Sequence, residues 1–298
     1  MLVINLILAL NYLNCNMGLN FIKRIRQIRD ILNTVVAHKN VDRGFQVAQF
    51  LAEHLHNNPK YANNKRLNKS EYQAFSQNGE DGIIQEIFNR IGTTNKYFVE
   101  FGVTDGLESN SLLLLYKQWQ GLWIDGNGED IKKINATFND FITQGKITVK
   151  HDFITAENIE SLFKSANVPA ELDLLSVDID YNTYYIWEAI TNYRPRVVVI
   201  EYNAIFPPDV HFVVRYNAKR MWNGTSYFGA SLLALEQLGK TKGYNLVGCN
   251  FTGTNAFFVR EDLNPDLFES PFTAEHHYEP NRDFLYYRNG HSRGHLPD

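Results

Sequence analysis

The sequence predicts an α/β protein with a mostly parallel sheet and helices on both faces. The main observation is the stretch KYFVEFGVTDGLESNS, residues 96–111, in which an apolar run rich in β-formers stops at Gly102. An apolar segment of helical type begins again at Leu112. A buried strand, a glycine turn and a helix form the first βα unit of a nucleotide-binding sheet. Further apolar runs that end in acidic residues follow at intervals typical of repeated βα units.

The glycine spacing after this first strand indicates which kind of ligand the turn would hold. A dinucleotide fingerprint reads G-x-G-x-x-G, whereas Glu100, Gly102 and Gly106 follow the order E-x-G-x-x-x-G. Glycines at a turn let the backbone approach a ligand where a Cβ would collide. An acid at the carboxyl end of the strand repels phosphate but suits a ligand with an ammonium or a sulfonium group. A strand, turn and helix without a ligand is the alternative interpretation.

This acid and these two glycines resemble motif I of the S-adenosylmethionine (SAM)-dependent methyltransferases, and the resemblance implies that they bind SAM. The usual form of the motif has a further glycine where this chain has Thr104. The preceding segment SQNGEDG, residues 76–82, is similar to the entry helix of FkbM-like methyltransferases, where it covers the methionine end of SAM. The resemblance assigns Gln77 or Glu80 to the cofactor site, and simple helix capping is the alternative.

The second and third predicted strands also end in acids. Asp125 ends the run GLWID and lies nineteen positions beyond Gly106. A carboxylate at this place can accept both ribose hydroxyls of a nucleoside. The run KITVKHDF ends at Asp152 and Phe153. By resemblance to the methyltransferases, Asp152 bonds the adenine amino group and Phe153 lies on the adenine ring. The alternative is that Asp125 and Asp152 only begin the helices that follow.

Strands four and five, LDLLSVDID and RVVVIEYN, deliver four oxygen-bearing side chains to one rim of the sheet: Asp178, Asp180, Glu201 and Asn203. Like charges collected in one place raise each other's pKa unless a positive group neutralises them. The SAM sulfonium and ammonium, with Asp178 at the cofactor, are one solution, and a hard cation such as Mg²⁺ is the other. The layout is similar to catechol-type and some sugar O-methyltransferases, which implies Asp178, Glu201 and Asn203 as metal ligands. In that family the acid and the amide are contiguous, whereas Tyr202 separates them in this chain.

Methyl transfer from a sulfonium to a hydroxyl requires two oriented reactants and removal of a proton from the acceptor. Asp180 is the candidate catalytic base, and His211, in the loop after the fifth strand, is the alternative. Each residue also has a purely structural interpretation, because Asp180 can cap a helix and His211 can be a surface residue.

The resemblance to FkbM-like SAM methyltransferases covers about residues 71–262. It implies a seven-stranded Rossmann-like methyltransferase sheet in which the β-type runs at 243–247 and 255–260 form a C-terminal antiparallel hairpin. It also implies an O-methyltransferase that acts on a hydroxyl of a sugar, glycan or small metabolite. A catalytically inactive SAM-binding or regulatory protein with this fold is the alternative. The missing G-x-G-x-x-G argues against a nicotinamide-dependent enzyme.

The chain divides into three predicted parts. Residues 1–70 are a helical extension with a linker, residues 71–263 are the methyltransferase domain, and residues 264–298 are a loop-rich tail. In the extension, apolar residues at helical spacing alternate with Lys and Arg from residue 21 onward. This pattern is typical of a helix on a membrane surface, or of one packed on the main domain or on a second copy. We favour packing, which through a second copy would give a homo-oligomer.

The composition and charge of the chain limit the kinds of partner that it is expected to bind. The 298-residue chain has a net charge of -4, which gives no electrostatic case for a nucleic-acid partner. The apolar stretch at residues 2–13 is shorter than the ~20 residues that span a bilayer. Cys15 and Cys249 give neither a disulfide framework nor a zinc spacing. We therefore expect a cytoplasmic protein without a stable membrane span, whose partner is a small-molecule or carbohydrate acceptor.

Overall fold

The computed structural model describes residues 2–285, with side chains from residue 23 onward. The described chain forms two compact units that divide after Ala52. The first unit is a single long helix, α1, Leu2–Leu51, which a π-helical turn at Ala52–His56 follows. Ile25, Ile28 and Leu32 are exposed on α1, and its predicted packing partner stays a prediction. Among the described helices, none combines the length and the apolar character needed to cross a membrane.

The second unit contains a sheet whose strands alternate with helices along the chain. Its strands are β1 Tyr97–Phe101, β2 Gln120–Asp125, β3 Ile147–His151, β4 Leu174–Val177, β5 Val197–Glu201, β6 Tyr244–Cys249 and β7 Asn255–Arg260. Its α-helices are α2 Glu80–Ile91, α3 Leu112–Tyr116, α4 Gly128–Thr137, α5 Asn139–Thr143, α6 Ile159–Ser165, α7 Thr183–Ala189, α8 Leu232–Thr241 and α9 Ala274–His277. Single 3-10 turns cover Pro59–Tyr61, Asn68–Ser70, Pro265–Leu267 and Asp283–Leu285.

The seven strands form one sheet in the order β3-β2-β1-β4-β5-β7-β6. The pairs among β1 to β5 are all parallel, whereas β7 runs antiparallel to both β5 and β6. This topology confirms the predicted mostly parallel sheet with a C-terminal antiparallel hairpin. The order reverses between β1 and β4, which makes this the switch point where open α/β sheets bind their ligands.

Helices cover both faces of the sheet, which explains why its strands read as continuous apolar runs. Side chains alternate between the faces along each strand. In β1, Val99 and Phe101 join the core with α6, α7 and α8, whereas Phe98 joins the core with α2, α3 and α4. Glu100 lies on the same face as Phe98, which directs it toward the start of α3.

Residues 53–70, which include the predicted linker, lie in the same compact unit as the sheet. Tyr61 and Leu67 are buried there. The side-chain amide of Asn68 donates a hydrogen bond to the carbonyl oxygen of Cys249 over 2.8 Å. This segment therefore packs on the domain beside the end of β6.

Gly102 directly follows β1 and lies close to the segment after β4. Its φ of +67° lies in the left-handed region, and a Cβ at this position would lie 1.8 Å from the carbonyl oxygen of Asp178. Its N–H donates to the carbonyl oxygen of Ile124 over 3.1 Å. Both its backbone conformation and its surroundings therefore require glycine.

A matched pair of alanine substitutions separates these two requirements. Gly145 has the same φ of +67° but nothing within 4 Å of its missing Cβ. We expect Gly145→Ala to lower the free energy of unfolding by about 1 kcal/mol through backbone strain alone. Gly102→Ala should cost about 3 kcal/mol or more, because backbone atoms must also move apart. Urea denaturation measures both, and equal costs would contradict the close approach of the two segments.

Candidate functional site

A cavity of about 830 Å³ lies at the carboxyl ends of the parallel strands. Strand ends and the turns that follow them supply most of its lining. The described lining residues include nine carboxylates, Glu80, Glu100, Glu108, Asp125, Asp130, Asp152, Asp178, Asp180 and Glu201, and a single basic side chain, Arg220. The cavity is thus strongly acidic and suits a ligand with positive charge.

Glu100 is buried at the end of β1 and organises the turn that follows. One carboxylate oxygen accepts the backbone N–H of Asn110 at 2.7 Å, and the other accepts the N–H of Ser111 at 2.9 Å and also its hydroxyl. Burial raises the pKa of Glu100 to about 7, although these hydrogen bonds oppose the shift. Glu100 lines the cavity, and it also holds the two residues that precede α3.

The turn between β1 and α3 explains how the chain departs from motif I. Thr104 has a φ of +50°, so threonine takes up the left-handed conformation at the place where the motif usually has glycine. Its N–H donates to Asp125 over 2.9 Å. Gly106 is not part of the cavity lining, and a Cβ there would lie 2.8 Å from the Phe138 ring and 2.9 Å from the Trp123 ring. Gly106 therefore has a packing role, and the structure does not bring it to the predicted cofactor site.

Asp125 ends β2 inside the cavity, as the spacing predicts. One carboxylate oxygen accepts the N–H of Thr104, and the other accepts the N–H of Asn127 over 2.7 Å. A carboxylate offers about four lone-pair sites, so each oxygen of Asp125 keeps acceptor capacity for a ligand. Its two backbone hydrogen bonds fix its position at the mouth of the β1 turn.

Asp152 and Phe153 follow β3 and line the same end of the cavity. The backbone N–H of Asp152 donates to the carbonyl oxygen of Asp125 over 3.1 Å, which joins the ends of β2 and β3. The Phe153 side chain is 42% exposed and lies beside Gly126, where a Cβ would come within 3.3 Å of it. An accessible aromatic ring next to carboxylates offers a stacking face and hydrogen-bond acceptors together.

The start of α2 supplies a further wall of the cavity through Gln77 and Glu80. Glu80 is fully buried, and its carboxylate accepts the side-chain amides of Asn250 at 2.9 Å and Asn255 at 2.8 Å. Burial is the largest cause that raises its pKa. The segment that resembles the methyltransferase entry helix thus reaches the cavity.

Three acids meet beyond β4 and β5. Asp178, Asp180 and Glu201 each offer a carboxylate oxygen, and these atoms lie within 4.8 Å of one another. Burial and the charges of Asp180 and Glu100 raise the pKa of Asp178 to about 7. Burial, followed by the charges of Asp178 and Asp180, raises the pKa of Glu201 well above its usual range. The buried Oε2 of Glu201 has no hydrogen-bond partner in the described part of the chain, so the cluster fits a cation.

Asn203 is not among the described residues that line the cavity, and its role as a metal ligand stays a prediction. Its buried amide donates to the carbonyl oxygens of Ser226 at 2.9 Å and Phe228 at 3.0 Å. Its own oxygen accepts the N–H of Ile205. The reason is that β5 ends at Glu201, after which strand alternation no longer fixes where side chains point.

The two candidate bases differ in position. Asp180 lines the cavity with a φ of +60°, and partial burial raises its pKa. It does not cap α7, whose N-cap is Asn182. His211 is exposed and is not among the cavity residues. The structure therefore retains Asp180 as the candidate base and does not bring His211 to the site.

Sequence reasoning missed one group of cavity residues, Arg220, Met221 and Trp222, which lie in the long segment between β5 and α8. The segment has no regular alternation that would show which of its side chains point inward. The only available indication was an Arg beside large apolar residues within a polar loop.

No protein-family model matches the chain, and no curated protein matches it. Solved structures do. A SAM-dependent methyltransferase from Clostridium acetobutylicum ATCC 824 has 12% identity and a TM-score of 0.37, over 59% of this chain and 89% of that one. An O-methyltransferase family protein from Burkholderia thailandensis has 9% identity and a TM-score of 0.37, over 61% of this chain and 57% of that one. A SAM-dependent methyltransferase from Aquifex aeolicus has 7% identity and a TM-score of 0.35, over 64% of this chain and 93% of that one. Likenesses this weak carry no argument about the site, whose chemistry rests on its own residues.

The raised pKa of Glu100 predicts how stability depends on pH. Glu100 has a pKa of about 7 in the folded protein and 4.5 as its ordinary value, so between these values the folded state binds the extra proton. Its contribution to stability is fully present below about pH 4.5 and is lost as the pH rises to about 7. The side chain in Glu100→Gln cannot ionise. Between about pH 4.5 and pH 7, the unfolding free energy of this variant should therefore fall less steeply than that of the wild type, by roughly 1.4 kcal/mol per pH unit.

Urea denaturation at several pH values across this window measures the two slopes. The wild-type slope also contains contributions from the neighbouring acids with raised pKa values, Asp81 and Asp178, so the difference between the two proteins is the informative quantity. Parallel curves for wild type and Glu100→Gln would contradict a buried, protonated Glu100.

Proposed function

We propose that the protein is an FkbM-like SAM-dependent O-methyltransferase that acts on a hydroxyl of a sugar, a glycan or a small metabolite. The observation that carries the proposal is the position of Asp125, which ends the second strand inside an acidic cavity at the switch point of the sheet. Its carboxylate oxygens keep free acceptor capacity beside the half-exposed ring of Phe153. A ribose with an adenine ring needs these two features side by side.

Two groups of cavity residues would bind the two ends of SAM. Asp125, Asp152 and Phe153 would hold the nucleoside, while Gln77 and Glu80 would hold the amino-acid end of SAM. When bound, SAM supplies a methyl group on a positively charged sulfur. The surrounding carboxylates attract that charge and orient the donor toward the ends of β4 and β5.

Asp180 would remove the proton from the acceptor hydroxyl. A carboxylate oxygen of Asp180 lies within the cavity, and the partial burial that raises its pKa also makes it a stronger base than an exposed aspartate. The proton passes from the acceptor oxygen to this carboxylate.

In an alternative arrangement the acid cluster holds a divalent cation, with Asp178, Asp180 and Glu201 as its ligands; the ion, and not Asp180, would then activate the acceptor hydroxyl. Three carboxylate oxygens within 4.8 Å and a buried oxygen of Glu201 without a partner are suited to a hard cation such as Mg²⁺. Such an ion would supply Lewis-acid activation of a hydroxyl and would neutralise the mutual repulsion of the three acids.

Loss of the Asp125 carboxylate should weaken nucleoside binding. We expect Asp125→Ala to reduce the affinity for S-adenosylhomocysteine by about 1–3 kcal/mol, because two hydrogen bonds to ribose are lost. Isothermal titration calorimetry with SAM, S-adenosylhomocysteine and NAD measures the affinity and separates donor classes. The wild type should bind the first two and not NAD.

Asp130→Ala is the matched control for this variant. Asp130 lines the same cavity, but its carboxylate is ion-paired with Lys133 at 2.7 Å, so its removal should leave the affinity nearly unchanged. Equal losses for the two variants would refute the ribose assignment. Normal SAM affinity without turnover on any acceptor would favour the alternative of an inactive binding protein.

Mg²⁺ should raise the thermal stability of the SAM-free protein. A ligand present at about a hundredfold above its Kd adds about 2.7 kcal/mol to the free energy of unfolding. Asp180→Asn should weaken this effect, whereas Asp130→Asn should keep it. Differential scanning fluorimetry with Mg²⁺ or with EDTA provides the readout, and a melting temperature that neither reagent changes would remove the metal from the account.

A further inference from the structure

Arg220 is the one basic side chain among the described residues that line the cavity, and nine carboxylates share that cavity with it. Its side chain is exposed, and its described contacts are with two aromatic rings rather than with an acid. An arginine surrounded by carboxylates but paired with none of them keeps its full charge available for a ligand.

The two rings determine how the guanidinium is presented. Its carbon lies 5.0 Å from the centre of the Tyr181 ring and 5.8 Å from the centre of the Tyr227 ring. Contact with an aromatic face stabilises the cation through the ring's quadrupole. The N–H groups at the edge of a guanidinium remain free to donate, and they match the geometry of a carboxylate or a similar oxyanion.

Buried amides fix the segment that carries Arg220. The side chain of Asn182 donates to the carbonyl oxygen of Asn217 over 2.9 Å and accepts its N–H over 3.3 Å. The Asn203 amide holds the carbonyl oxygens at residues 226 and 228. The hydroxyl of Tyr181 donates to the carbonyl oxygen of Arg215 over 3.2 Å. These hydrogen bonds therefore anchor the backbone on both sides of Arg220.

An accessible aromatic side chain lines the same cavity as Arg220. Trp222 lines the cavity with 48% of its surface exposed. Its indole N–H donates to the carbonyl oxygen of Thr225 over 2.6 Å, so the ring is held in one orientation. A fixed, accessible indole in the same cavity as a guanidinium suits a ring compound that carries a negative group.

We propose that Arg220 binds an acidic group of the methyl acceptor, so that the acceptor class is an acidic sugar or a comparable ring-bearing acid. This inference rests on the proposed methyltransferase function. In a cavity whose other charged groups are carboxylates, an anionic acceptor meets favourable charge only at Arg220. The guanidinium contacts the ring of Tyr181, the chain neighbour of the candidate base Asp180. Arg220 and Asp180 both line the cavity.

The carboxylate of SAM itself is the other source of the same ligand chemistry. The resemblance places that carboxylate at the entry segment around Gln77, whereas Arg220 comes from the segment after β5 and contacts the residue that follows Asp180. We therefore assign Arg220 to the acceptor, and the test distinguishes the two sources.

The test compares Arg220→Gln with the matched control Arg215→Gln, an exposed arginine of the same segment that does not line the cavity. Each protein, saturated with S-adenosylhomocysteine, is titrated calorimetrically with D-glucuronate and with D-glucose, which differ in the carboxylate. Wild type and Arg215→Gln should bind glucuronate about tenfold more tightly than glucose or better, because a charge-assisted hydrogen bond is gained. Arg220→Gln should lose this preference.

The affinities of each protein for S-adenosylhomocysteine and methylthioadenosine separate the remaining outcomes. If Arg220→Gln weakens binding of S-adenosylhomocysteine but not of methylthioadenosine, which lacks the amino-acid end, Arg220 holds the donor and the proposal is overturned. The proposal is also overturned if the wild type binds glucuronate no more tightly than glucose. It is overturned as well if Arg220→Gln keeps the preference for glucuronate. Wild type that fails to bind S-adenosylhomocysteine contradicts the proposed function instead.

Discussion

Negative charge concentrated at the carboxyl edge of the sheet is the constraint on which the site depends. The close approach of Gly102 to the Asp178 carbonyl joins the turns after β1 and β4, and it brings Glu100 and Asp178 into one cavity. Burial raises the pKa of both carboxyls to about 7, so each is partly ionised near neutral pH. Glu100 accepts two backbone N–H groups, whereas carboxylate oxygens of Asp178, Asp180 and Glu201 lie within 4.8 Å of one another. A cationic ligand relieves this repulsion, which is why the cavity suits a sulfonium, an ammonium or a metal ion.

The part of this arrangement that follows from periodicity could be predicted from the sequence. Apolar runs bounded by acids indicate buried parallel strands, and the carboxyl ends of such strands meet at one edge of the sheet. Glu100, Asp125, Asp152 and Asp178 end their strands, or directly follow them, and all four line the cavity as expected. The antiparallel pair β6 and β7 could likewise be predicted, because two β-type runs lie close together in the chain.

Residues beyond the strand ends could not be predicted in the same way, because no repeat fixes where their side chains point. Asn203 lies two residues after β5, and its amide holds the segment around Phe228. Gly106 has the spacing of a ligand-binding glycine, but the rings of Trp123 and Phe138 require it. Arg220 reaches the cavity only because buried amides fix an irregular segment. These positions depend on tertiary packing and hydrogen bonds between residues that are distant in the chain.

The central claim is that the strand-end acids hold an adenosyl donor with its ribose at Asp125 and its positive end toward Asp178 and Glu201. The most direct measurement is a crystal structure of the protein with S-adenosylhomocysteine bound. The account predicts both ribose hydroxyls within hydrogen-bond distance of the Asp125 carboxylate and the adenine against Phe153. A nucleoside bound elsewhere, or an occupied cavity in which Asp125 faces only solvent, would contradict it.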